Sequence, residues 1–90
     1  MAIVLQIDNP NGSKELYERL KERLGLERPA GGILHVAGAS PNGGWRVVEV
    51  FESKEQATQF MEDRLRPAFQ ELGAPPPPPP EFWPADSYMV

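Results

Sequence analysis

The chain has 90 residues, 40% of them hydrophobic and 24% charged, the balance of one small soluble globular domain spanning residues 1–90 rather than of a disordered chain. Nine Lys and Arg against thirteen Asp and Glu leave a net charge of −4 with no basic tract, which argues against nucleic acid and against an anionic membrane surface as partners. The longest apolar run, Met1 to Leu5, is far shorter than the ~20 residues that span a bilayer and lacks a basic leader and cleavage site, so the expected location is the cytoplasm.

Ala2 to Ile7 is short, rich in β-branched residues and closed by Asp8-Asn-Pro-Asn-Gly12, which predicts a strand and a turn. Ser13 then stands where a helix N-cap would, with Glu15 in the first turn to suit the dipole. Tyr17, Leu20 and Leu24 follow at helical spacing, flanked by Leu16, with charged residues on the opposite face. Gly25 and Pro29 stop this helix. Gly31-Gly32 opens a second strand, Ile33 to Ala37. The turn Gly38-Ala-Ser-Pro-Asn-Gly-Gly44 leads back into a third strand, Trp45 to Phe51, which makes a hairpin.

Ser53 and Gln56 have the spacing of a capping box and begin a second helix. Its apolar stripe is Ala57, Phe60, Met61, Leu65, Phe69 and Leu72. Pro67 has no amide hydrogen and crowds the preceding turn, which predicts a kink or break near Leu65 to Arg66. Pro75 to Pro80 is an unbroken run of six prolines, a stiff polyproline II bridge about 19 Å long at ~3.1 Å per residue. Glu81 to Val90 supplies the last strand, broken early by Pro84.

The order β-α-β-β-α-β is that of a ferredoxin-like α+β sandwich, with both helices on one face of the sheet. The strands are nevertheless apolar on both faces. Ile3, Leu5 and Ile7 alternate with Val4; Leu34 and Val36 oppose Ile33; Val48 and Val50 oppose Val47 and Phe51. Two helices cover one side only, so the other must meet something, and a second copy of the same sheet is the simplest candidate. A chain this small is also marginal by itself, which again favours a homodimer.

The stretches Leu34-His-Val-Ala-Gly38 and Gly44-Trp-Arg-Val-Val-Glu-Val-Phe-Glu-Ser53, the Gly-rich turn between them, and Phe60, Arg64-Leu65 and Pro67-Ala68 in the second helix resemble the small proteins of the dimeric α/β-barrel superfamily. The nearest branch is the antibiotic biosynthesis monooxygenase-like family, and the resemblance runs from Ile3 to the final strand. It implies two sheets paired into a closed barrel, helices outside, and one pocket per subunit between sheet and helices. Some members oxygenate polycyclic phenols without metal or flavin, while relatives degrade haem, isomerise or cyclise small molecules. In the haem-degrading branch the haem ligand comes from a helix, whereas the one histidine here falls on a predicted strand. The proline run is longer than the family pattern. One fold that hosts so many chemistries does not choose among them, so the residues have to.

Without cysteine there is no disulfide, thiolate nucleophile or iron–sulfur cluster, and one histidine supplies a metal site poorly; no metal or cofactor is expected. His35 is that histidine. In a pocket it would take a phenolic or enolic proton; the plainer alternative is a strand histidine bonded for packing. Glu49 interrupts Val47-Val48-Glu49-Val50, and a carboxylate inside a covered strand is costly unless paired or functional. It would orient His35 if both share a face, or else form a salt bridge at the barrel rim. If Ala37 pairs with Trp45, then Ile33 faces Glu49, His35 faces Val47, and all four lie on one side. A two-residue Asn42-Gly43 turn would instead put His35 beside Arg46. The longer loop is favoured. Tyr17, Trp45, Phe60, Met61 and Trp83 are the bulky residues that would line a cavity for a small apolar or aromatic ligand, if they are not simply core. The prolines read as a structural bridge rather than a docking motif.

The combined expectation is a homodimeric barrel with an apolar pocket, acting as a cofactor-independent monooxygenase-like enzyme in which His35 abstracts a proton and Glu49 supports it. An isomerase or cyclase on the same fold, a non-catalytic binder, and a dimer module with a filled core stand as alternatives.

Overall fold

The computed structural model describes residues 1–25 and 27–90. Its elements are β1 (Ile3–Asn9), α1 (Lys14–Leu24), β2 (Gly32–Ala39), β3 (Trp45–Phe51), α2 (Lys54–Phe60), a π-helical segment (Met61–Leu65), α3 (Arg66–Glu71) and β4 (Glu81–Pro84). The four strands form one antiparallel sheet in the order β2-β3-β1-β4. This α+β topology is compatible with a ferredoxin-like fold. Among the described residues, no helix is long and apolar enough to cross a membrane.

Both α1 and α2 start where a serine caps them. Ser13 Oγ accepts from the Leu16 amide at 3.1 Å, and Ser53 Oγ from the Gln56 amide at 3.2 Å, in both cases satisfying a donor that the first helical turn leaves free. Gly25, at φ 79°, ends α1 and sends its amide back to the Lys21 carbonyl.

Of the expected kink or break, the second helix shows no break. α2, the π-helical segment and α3 follow one another without interruption, and the adjustment to Pro67 lies before it. The Arg66 amide reaches back five residues to the Met61 carbonyl. Proline cannot donate to the carbonyl four residues earlier and its ring would crowd that group. Widening the preceding turn relieves both problems, and Pro67 then sits in the first turn of α3, where a missing amide costs little.

The hairpin is longer than expected. β2 runs through Gly38 and Ala39, so Ala39 rather than Ala37 pairs with Trp45, and His35 stands opposite Glu49 rather than Val47. The loop contracts to Ser40–Gly44, closed by hydrogen bonds from the Ser40 amide to the Gly44 carbonyl and from the Gly43 amide to the Ser40 carbonyl. A shift of two residues keeps the faces as expected. Ile33 is the exception: a β-bulge between Gly32 and Leu34 takes it out of register, and it packs with Val4 and Val50 on the opposite face from His35.

Leu5, Ile7, Phe51 and Ala57 make the core between sheet and second helix, while Leu20, Ala68 and Phe69 join the two helices. On the other face of the sheet Val4 and Val50 are buried under Ala85 and their strand neighbours. Val36 and Trp83 remain 55% and 45% exposed there. The last strand ends at Pro84 instead of running on to Val90; the Ala85 amide still donates to the Ala2 carbonyl at 3.1 Å, and residues 86–90 lie outside the sheet.

Candidate functional site

Glu49 lies in β3, the second strand of the sheet, between Leu5 on one side and His35 on the other. It is only 6% exposed. Burying an ionised carboxylate is expensive unless a donor meets it, and His35 is that donor: its Nδ1 lies 2.8 Å from Glu49 Oε1. The β2–β3 ladder fixes this contact, because residues directly opposite in an antiparallel pair present their side chains to each other.

From above the sheet, α1 lowers Tyr17 onto the same imidazole. The phenolic oxygen is 2.6 Å from His35 Nε2. The rings stack at 5.9 Å with 12° between planes, and Tyr17 also packs on Trp45 at 5.3 Å. Burial pushes the Tyr17 phenol above its ordinary value of 10.0, and the nearby negative charges of Glu49 and Glu18 push the same way. Tyr17 is therefore protonated at neutral pH and donates to Nε2. That leaves Nδ1 carrying the imidazole proton and donating to Glu49. One continuous chain results: Tyr17 O–H to His35 Nε2, then His35 Nδ1–H to Glu49.

This chain borders a cavity of about 330 Å³ between α1, the second helix and the sheet, at the lower end of the size range of small-molecule sites. Tyr17, His35, Trp45, Glu49 and Phe60 line it. The His35 side chain is 44% exposed, so the ring is accessible. Met61 and Trp83 are elsewhere. Met61 packs on the Leu5–Phe51 core and borders a second hollow under the proline run. Trp83 pairs with Val4 and so lies on the face of the sheet that carries no helix. Among the described residues, no cluster of three or more His, Asp or Glu side chains is arranged to hold a metal ion.

Sequence reasoning placed Tyr17 among the apolar lining residues and missed its bond to His35. The available signal was that Tyr17 is the one polar-tipped side chain in the apolar stripe of α1, and a buried phenol seeks a partner. Arg28 and Arg64 also line the cavity, and the sequence reading did not place them there.

A scan against protein-family models finds no match for this chain, and neither a curated protein nor a solved structure matches it.

Proposed function

We propose that the cavity holds a small, largely apolar aromatic or polyketide-like molecule with an acidic hydroxyl, and that the Tyr17–His35–Glu49 chain removes that proton. The hydrogen-bonded chain at the cavity wall is the observation that carries this reading. As the substrate hydroxyl gives its proton to Tyr17 Oη, Tyr17 passes its own to His35 Nε2. The Glu49 carboxylate then stabilises the imidazolium and keeps the ring in place. A phenol held above its ordinary pKa is a poor base by itself, so Tyr17 serves as relay and donor, His35 as base, and Glu49 as a positioning residue.

The anion left behind is electron-rich, and dioxygen can attack it at carbon without metal or flavin. In balance, a phenol and dioxygen give a quinone and water: one oxygen atom enters the product, and the other leaves with two hydrogens. Isomerisation or cyclisation would begin with the same proton abstraction and consume no oxygen. This reading also makes the protein a homodimer of the dimeric α/β-barrel kind, antibiotic biosynthesis monooxygenase-like, with the helix-free sheet faces of two copies closing a barrel. Exposed Val36 and Trp83 on that face support it.

A specific observation favours a second reading, that of a non-catalytic binder. Tyr17 already occupies Nε2 and Glu49 meets Nδ1, so the chain could serve to tie α1 to the sheet. A panel of phenols incubated with the protein, with and without oxygen, separates the two by mass spectrometry. Oxygenated or rearranged product is expected, and His35→Gln should lower turnover by roughly a hundredfold or more in a protein that still folds, with a loss of stability of only about 0.5–1.5 kcal/mol for each hydrogen bond given up. Saturable ligand stabilisation with no product would establish the binder instead, and equal turnover in the variant would remove His35 from the mechanism.

A further inference from the structure

Two arginines line the cavity, and the inference drawn from them rests on the cavity being a ligand site as proposed above. Arg23, Arg46 and Arg66 pair with Glu71, Asp8 and Glu62. Arg28 and Arg64 line the cavity, and among the described residues neither pairs with a carboxylate. Arg64 donates to the Leu24 carbonyl at 2.7 Å and Arg28 to the Ile33 carbonyl at 3.3 Å. These bonds to neutral backbone oxygens orient the guanidinium groups without neutralising them. Arg19 also lacks a carboxylate partner among the described residues, but it does not line the cavity; Glu27 and Glu49 do line it, and neither pairs with Arg28 or Arg64. A guanidinium offers a planar fork of donors that matches a carboxylate.

We propose that the cavity takes a hydroxyaryl carboxylate, its hydroxyl at Tyr17 and its carboxylate on Arg64, with Arg28 adding to the field. The distance between the two ends sets the size of the molecule. Arg64 is held at Leu24, seven residues along α1 from Tyr17, which is roughly 10 Å at ~1.5 Å per residue. A fused two-ring acid fits that span, and the walls between, such as Leu20, Phe60 and Phe69, suit its apolar body. A phosphate ester would bring up to two charges to the same fork and is the competing anion.

Four probes test this by calorimetry: 6-hydroxy-2-naphthoate, its methyl ester, 2-naphthol and 2-naphthyl phosphate. The acid should bind at least tenfold more tightly than the ester, and Arg64→Gln should erase that ratio while leaving 2-naphthol unchanged. The ratio is read within each variant, so a modest loss of stability in Arg64→Gln does not blur it; circular dichroism checks that the variant is folded. Arg64→Lys, which keeps the charge, should recover part of the preference. Equal binding of acid, ester and 2-naphthol overturns the carboxylate while the ligand-site reading stands. Tighter binding of the phosphate than of the acid overturns it in favour of a phosphate ester. Binding of none of the four overturns the inference together with the reading beneath it.

Discussion

Tyr17 and His35, eighteen residues apart and on different elements, meet through a 2.6 Å contact between the phenolic oxygen and Nε2. The third member of the chain sets the direction of that contact. The buried Glu49 carboxylate can only accept, so the imidazole proton sits on Nδ1, and Nε2 of the neutral ring accepts from the protonated phenol. Helix, edge strand and second strand are thereby joined by one polar chain at the border of the cavity. The groups that would handle a proton are the same groups that tie α1 to the sheet.

The raised Tyr17 pKa gives this chain a signature at alkaline pH. Because the folded-state value lies above the unfolded one, the associated stability is fully present below the unfolded value near pH 10. It is lost as pH rises through the folded value, since only the unfolded chain ionises at first. At pH 8, Tyr17→Phe should cost about 0.5–1.5 kcal/mol, the usual net worth of one hydrogen bond. Urea unfolding of both proteins from pH 8 to pH 11 should show the wild-type advantage shrinking above pH 10. A constant difference across that range would mean that neither burial nor Glu49 acts on the phenol.

The hairpin turn offers a paired test of backbone strain. Gly43 and Gly44 both have positive φ, 94° and 82°, and any side chain there is strained. Only at Gly44 is the space also taken: an added Cβ would run into the Asn9 carbonyl oxygen and lie 2.7 Å from the Pro10 Cα, whereas nothing lies near Gly43. Gly43→Ala should therefore cost about 1 kcal/mol, from conformation alone. Gly44→Ala should cost at least 1–2 kcal/mol more, because the turn after β1 must move. Urea midpoints measure both. Equal costs would show that the β1 turn yields freely, and with it the seat of neighbouring Trp45.

Much of this was legible in the chain because local signals and the global pattern agree. Ser13, Ser53 and Gly25 mark helix ends by chemistry that acts over a few residues, and alternating apolar residues put Leu5 and Val4 on opposite faces of the sheet. The face shared by His35 and Glu49 followed from loop parity alone. Their exact pairing did not, because Gly38 and Ala39 are small enough to read as turn and yet extend β2. The bulge at Ile33 has no local marker beyond its neighbouring glycines. Pro67 announced a disturbance in the second helix, but whether a helix breaks or widens depends on what it packs against. The Tyr17–His35 bond depends on how α1 sits over the sheet, a tertiary relationship that spacing within either element does not encode.

The helix-free face separates assembly from ligand binding. Light scattering at micromolar concentration should give about twice the 10.0 kDa chain mass, because Val36 and Trp83 are left exposed beside the buried Val4 and Val50. Val36→Lys puts a charge on the edge-strand side of the proposed contact and should return the protein to monomer, as a desolvated unpaired charge is costly. The same substitution at exposed Gln59 on the helical face should change nothing. A wild-type mass of one chain would refute the dimer. Trp83→Ala then distinguishes the two roles open to that residue. Trp83 lies across the sheet from the cavity, so its loss should weaken the dimer and leave the affinity for a cavity ligand unchanged. Lost ligand affinity with an intact dimer would return Trp83 to the binding site and require the two faces of the sheet to communicate.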